Sequence, residues 1–311
     1  GLEVETWIAE AQTIARKRKE PAITTGPQCC SPYACGFLPY CVDQEPQAEY
    51  PINWLPRIQT KGLKAHIDQG VSDLRDVPDE LLNERQLRVK QCTLTGETYF
   101  DAAGAATDLA AHKLPGYFLD FETTQFAIPI WKGTRPYQQI PFQFSLHRLS
   151  RTGKLEHKAF LDLSGKDPSK AFAEALIAAC GERGPVFVYN AAFEMTRIKE
   201  LANRFKRLKK PLLAINDRIV DLLRIAESHY YHPSQQGSWS IKKVLPAIAP
   251  DLRYEALEGV QDGGMAMEAY REAIYPKTSV DRKAEIEKQL LEYCGLDTFA
   301  MVRVWEVFSK I

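Results

Sequence analysis

Along residues 117–309 the apolar positions change period in a readable order. Residues 117–122 form an aromatic-rich apolar run, and residues 141–147 alternate Phe142, Phe144 and Leu146 with polar neighbours. Residues 155–163 follow the turn-like SRTGK at 150–154. These runs predict three strands, antiparallel neighbours in one sheet. A helix is expected over about 168–181, followed by PVFVYN at 185–190, whose shortness and β-branched content predict a buried strand. Phe193, Ile198, Leu201, Ala202, Phe205 and Leu208 then make the apolar stripe of another helix. IVDLL at 219–223 reads either as a fifth short strand or as a helix start, and a long helix is expected over about 281–309. Strands clustered first and then alternating with helices predict an α/β fold with a mixed five-stranded sheet flanked by helices.

Upstream the pattern is weaker. Residues 3–19 are helix formers that end in Arg16, Lys17, Arg18 and Lys19 ahead of Pro21, a helix stop. Residues 26–56 are rich in Pro, Cys and aromatics without a period, and 57–113 resume short helical patterns before the break LPGY at 114–117. The expected division is a small Cys-containing segment over 1–56, a helical linker over 57–114 and a large domain over 115–311.

Composition narrows this little. The 311 residues are 45% hydrophobic and 26% charged, ordinary for a folded chain, and no stretch approaches the roughly 18 apolar residues of a membrane span. Lys plus Arg balances Asp plus Glu at 40 each, so a surface for nucleic acid has to be local. The first residue is Gly, and the opening segment lacks the apolar core of a secretory signal. A fragment or processed chain in the cytoplasm, with no membrane role, is the expectation. Of seven cysteines, Cys29, Cys30, Cys35 and Cys41 fall within thirteen residues, while Cys92, Cys180 and Cys294 stand singly. Without an export signal, a cluster of this kind points to metal binding rather than a disulfide framework. Zinc is one reading, with Cys29 as a fourth sulfur, and reduced thiols without metal are the other. The single cysteines read as buried thiols.

Three short motifs carry chemistry. In LDFET, Asp120 and Glu122 are two apart on a predicted strand and share a face, opposite Leu119 and Phe121. In YNAAFE, Asn190 closes the fourth predicted strand and Glu194 sits one turn into the next helix, at the strand-end mouth where open α/β sheets place their sites. In YCGLD, Tyr293 and Asp297 stack four apart on one face of the last helix, although Asp and Gly295 are both poor helix-interior residues. Carboxylates in such numbers suit hard dications such as Mg2+ and Mn2+. Taken singly, each motif also has an ordinary reading: a solvated strand face, a first-turn dipole partner, or close helix packing.

In this order and on these elements the motifs resemble the DEDDy branch of the DnaQ-like 3'-5' exonucleases, of the RNase H-like superfamily. The resemblance covers about residues 115–311, with supporting likeness in PFQF at 141–144, RIVDLL at 218–223 and GSWSIKKVL at 237–245. It implies that Asp120, Glu122, Glu194 and Asp297 hold two Mg2+ or Mn2+ ions, with Tyr293 beside the attacking water. The histidine subclass would need its His at 292, which is Glu292 here. One position departs from the pattern, since the second motif normally ends in Asp and Glu194 is one methylene longer. That variant is similar to a smaller prokaryotic family in which a RecB-like nuclease module with an iron–sulfur cluster precedes the exonuclease-like domain. GPQCCSPYACGFLPYC at 26–41 resembles the end of such a module, which implies Cys30, Cys35 and Cys41 as three cluster ligands. The fourth ligand and the nuclease core would lie upstream, so residues 1–56 are expected to be a remnant of that module, with the rest a possible upstream partner.

The expected substrate is a single-stranded or 3'-ended nucleic acid, DNA or RNA. Asn190, Arg197 in the basic helix after Glu194, Trp239 and Lys242 are its expected contacts. The competing expectation is a degenerate, non-catalytic nucleic-acid-binding or assembly module.

Overall fold

The computed structural model describes residues 1–310 except Cys30, Ser31, Pro32, Ala34 and Gln59. The chain forms two compact units, residues 1–52 with 65–77 and residues 53–64 with 78–311. Its elements in order are α1 (Leu2–Ala15), α2 (Leu38–Asp43), α3 (Lys61–Asp68), α4 (Glu84–Thr95), β1 (Tyr99–Phe100), α5 (Ala102–Ala110), β2 (Gly116–Thr124), β3 (Ile140–Leu149) and β4 (Leu155–Leu161). Then follow α6 (Ser169–Cys180), β5 (Val186–Val188), α7 (Ala192–Arg204), α8 (Lys209–Asn216), β6 (Ile219–Asp221), α9 (Leu222–His229), β7 (Tyr230–Tyr231), α10 (Ile241–Ile248), α11 (Gly263–Ala273) and α12 (Val280–Phe308). Among the described residues no helix is long and apolar enough to cross a membrane.

In the smaller unit α1 ends at Ala15, ahead of the basic run, and buries none of its residues. The unit is tied by Asp73, whose carboxylate accepts from Tyr50 N at 3.2 Å and from Arg75 at 2.9 Å. The Arg75 guanidinium accordingly holds the Asp73 carboxyl down at about 2.

The larger unit is the expected mixed sheet, in the order β4-β3-β2-β5-β6. β2, β3 and β4 form an antiparallel meander, while β5 and β6 add in parallel. The pattern at 219–223 resolves into both of its readings, a three-residue strand that runs straight into α9. Phe205 and Leu208 fall just beyond the end of α7 but still pack on the core that α6, α7 and α8 make against β2, with Leu119 and Phe121 at its centre. β5 spans only three residues and pairs with β2 at Tyr117 and Phe118 alone, so β2 runs on past it. The expected boundary at 115 does not divide the units. β1 pairs with β7, and α5 packs on α9 and α12, which builds residues 78–114 into the sheet unit.

Because side chains alternate along strands, the opposite sheet face carries Asp120 and Glu122 from β2, with Ser145 and Gln143 as their β3 neighbours. α12 covers this face through polar bonds. Gln143 Nε2 donates to Leu290 O at 2.7 Å, Ser145 Oγ lies 2.7 Å from Thr298 Oγ1, and His147 Nδ1 lies 2.8 Å from the same hydroxyl. At Gly295 the nearest atoms to an added Cβ belong to the His157 ring, 3.9 Å away, which is ordinary contact. Gly237 is the opposite case: its φ is +77° and an added Cβ would fall 1.5 Å from Trp54 O.

Replacing these two glycines by alanine should therefore have opposite signs. Gly295→Ala should stabilise by up to about 1 kcal/mol, the helix-propensity gain, whereas Gly237→Ala should cost more than about 2 kcal/mol through clash and backbone strain. Urea denaturation of both variants reads the difference, and equal midpoints would contradict this packing.

Candidate metal centre

The site is assembled where β2 outruns β5. Asp120 and Glu122 project from β2 toward α12, and the pairing register with β3 slips directly after Glu122, a bulge of the kind that re-aims a side chain at a strand end. From across the sheet β5 leads into a sharp turn in which Asn190 adopts φ +80°. Asp221 holds that turn: its carboxylate accepts from Asn190 N at 3.0 Å, Ala191 N at 3.1 Å and Leu223 N at 3.1 Å. α7 starts there and places Glu194 in its first turn. The four-residue spacing on α12 aligns Tyr293 with Asp297.

Asp120, Glu122, Glu194, Tyr293 and Asp297 all line one cavity of about 430 Å³, and Asn190 and Lys242 line it too. The expected catalytic set is thus brought together. Of the four expected substrate contacts, two are not at the cavity. Arg197 does not line it, its guanidinium bonded to the lining residue Gln139 and its Nε 2.9 Å from Glu200. Trp239 is a core residue: it is buried, and its indole N–H donates to Tyr230 O at 2.7 Å. The basic character of α7 is likewise partly internal, since Arg204 pairs with Asp167 and donates to Ser169 Oγ at 2.9 Å.

Bringing these carboxyls out of water raises them all. Burial, then the neighbouring Asp297, Glu122 and Glu194, push Asp120 well above the usual carboxylate range. Burial pushes Glu122 up to about 8, with Asp297 adding and Lys242 opposing, and burial pushes Glu194 up to about 8 as well. Asp297 rises less, to about 6, because burial is opposed by hydrogen bonds from Tyr254 and Tyr293 and by Lys242. Burial, followed by Asp297, Glu122 and Asp120, drives the Tyr293 phenol far upward, so it stays protonated.

Two residues at the site carried no signal in the sequence. Tyr254 donates to Asp297 Oδ1 at 2.6 Å from a short turn of 3-10 helix. Cys294, read as a plain buried thiol, has its Sγ 3.8 Å from both Asp120 O and Asp120 Oδ2, and ligand atoms of Asp120, Glu122 and Cys294 all lie within 4.8 Å of one another.

A dication fits this donor set. Glu194 is 2% exposed, yet its Oε2 has no hydrogen-bond partner. An orphaned buried carboxylate oxygen in a cavity lined by three other carboxyls is a costly arrangement that a hard cation relieves.

In the smaller unit Cys35 N donates to Cys29 O at 2.7 Å, and the Cys41 thiol is pushed up by burial and then by its neighbours Cys29 and Cys35. Cys30, expected as a cluster ligand beside Cys35 and Cys41, lies outside the described residues.

A family model described as a domain of unknown function (DUF2779) matches residues 117–240. No curated protein and no solved structure matches the chain. The matched span contains Asp120, Glu122, Asn190 and Glu194 and ends before Lys242, Tyr254, Tyr293 and Asp297.

The raised carboxyls set the pH dependence of the metal-free protein. Folded Glu122 and Glu194, near 8, hold protons that the unfolded chain has released above about 4.5, so stability is lost as pH rises through that window. His147, lowered to about 4 by burial, is neutral throughout the upper part of it. In chelator, Tm should fall by several degrees between about pH 6.5 and about pH 8.5. Added Mn2+ should raise Tm most at the alkaline end. A Tm indifferent to both pH and Mn2+ would remove the charge crowding.

Proposed function

We propose that this chain is a metal-dependent 3'-5' exonuclease that hydrolyses the terminal phosphodiester of a DNA or RNA strand. The convergence of Asp120, Glu122, Glu194 and Asp297 from a strand, a strand-to-helix turn and a distant helix carries the reading, since nothing in packing alone calls for three buried carboxyls and a half-buried fourth around one cavity. Their order is that of the exonuclease family that the sequence resembles, with Glu194 standing where that family normally has Asp.

Mg2+ or Mn2+ held by these carboxylates would supply Lewis acidity and offset the charge of the phosphoryl group. The chain's own groups do the rest. Tyr293, protonated and 5% exposed, donates a hydrogen bond and orients water rather than acting as a base. Lys242 brings an ammonium near Glu122 and Asp297, its Nζ 5.0 Å from the Tyr293 ring centroid, and can meet a phosphate oxygen that enters the cleft. Asn190 is exposed at the mouth, where a strand's next nucleotide would pass.

The orphaned Oε2 of Glu194 favours a site adapted to the longer side chain over a degenerate one. Release of mononucleotides from a labelled strand in Mn2+ tests the activity. Asp120→Asn and Asp297→Asn should each lower the single-turnover rate at least about a thousandfold while the proteins stay folded. Glu194→Asp should lower it at least about tenfold, because the shorter carboxylate no longer reaches. Folded variants that cleave at the wild-type rate would sink the assignment, and a faster Glu194→Asp enzyme would mark the natural site as degenerate.

A further inference from the structure

Tyr254 lies outside all three carboxylate motifs, yet it makes the shortest described hydrogen bond to any of the four carboxyls, 2.6 Å to Asp297 Oδ1. The residue is buried among Leu245, Ala249 and Val260 on the segment between α10 and α11, so its ring is fixed by packing and its hydroxyl has one direction to point. Its ring centroid lies 6.4 Å from that of Tyr293, and Lys242 Nζ lies over both rings, 5.1 Å and 5.0 Å from their centroids. Asp297 therefore meets two phenols, one from its own helix and one from the separate segment between α10 and α11.

We propose that Tyr254 is a positioning residue that fixes the carboxylate of Asp297, so that Oδ2 is presented to a divalent cation and the Tyr293 hydroxyl, which also bonds Asp297, is not needed to hold it and can accept from water. The inference rests on the exonuclease reading and divides a labour which that reading gives to Tyr293 alone. A carboxylate on a rotatable Cβ–Cγ bond has a broad torsional well. A buried phenol bonded to one oxygen narrows it, and ligand orientation by such an outer partner commonly changes metal affinity by 10- to 100-fold (about that range). Tyr293, whose hydroxyl also reaches Asp297, sits on the same helix and moves with it, so it cannot set the helix-bound carboxylate against a separate segment; Tyr254 can.

The two tyrosines then differ in what their loss does. With the full chain, Tyr254→Phe keeps the ring in its apolar cluster and removes only the hydroxyl. Calorimetric titration with Mn2+ should show affinity weakened about tenfold, and the cleavage deficit should be largest at limiting Mn2+ and shrink as Mn2+ is raised. Tyr293→Phe should show the reverse, near-normal Mn2+ affinity with a rate deficit that excess Mn2+ does not close. In an Asp297→Asn background, Tyr254→Phe should weaken Mn2+ binding no further, because the group it positions is gone. Unchanged affinity in Tyr254→Phe, or an equal additional loss in the Asp297→Asn background, would overturn the positioning role while leaving the exonuclease reading intact. Wild-type protein that binds no Mn2+ would instead remove the reading itself, and this role with it.

Discussion

The cleft depends on how α12 is seated on the sheet. Helices usually lie on sheets through interdigitated apolar side chains, which tolerate small slides. Here the contact beneath residues 290–298 is a line of hydrogen bonds from Gln143, Ser145 and His147 to Leu290 O and Thr298 Oγ1. Such bonds are short, directional and removed from water, so breaking one leaves a buried group unsatisfied at a cost of roughly 1–3 kcal/mol. A slide of one helical turn, about 5.4 Å, would break all of them together. The same bonds therefore determine which residues of α12 face β2 and its cavity, Tyr293, Cys294 and Asp297 among them.

The crowd of carboxyls follows from that seating and acts against it. Burial raises each of them, and at Asp120 and Glu122 neighbouring carboxyls of the site add to the conflict. The fold tolerates the conflict because the backbones that carry the charges are anchored elsewhere: β2 within its meander, the Asn190 turn on Asp221, and α12 on its polar line. Rigid elements bearing mutually repelling ligands are what a preorganised cation site requires, since little rearrangement remains to be done on binding.

Much of this could be read from the chain. The aromatic-rich apolar run at 117–122 and the period of two at 141–147 placed β2 and β3, and the two-residue spacing set Asp120 and Glu122 on one face; the four-residue spacing did the same for Tyr293 and Asp297. Other parts left no local trace. β1 and β7 are two residues each and pair across about 130 positions, so residues 78–114 looked like a linker. β6 is too short to show a period before α9 begins. Tyr254 sits in a three-residue turn with no neighbours of telling spacing, and Cys294 looks like any apolar helix residue. Arginine and tryptophan serve interiors and substrates equally well, so their types could not say that Arg197 would pair with Glu200 and Trp239 with Tyr230 O rather than line the cavity.

The shortness of β5 has one more effect. Past Phe118 the β5 side of β2 has no strand beside it, and Phe121 and Thr123 reach the cavity although their side chains alternate away from Asp120 and Glu122. Peptide groups of β2 thus form part of the cleft wall. A ligand that bonded to them would be held by atoms that every residue type possesses, so side-chain replacement would register almost nothing there. That share of recognition would show only when the amide itself is altered, for example by exchanging a peptide bond of this strand for an ester.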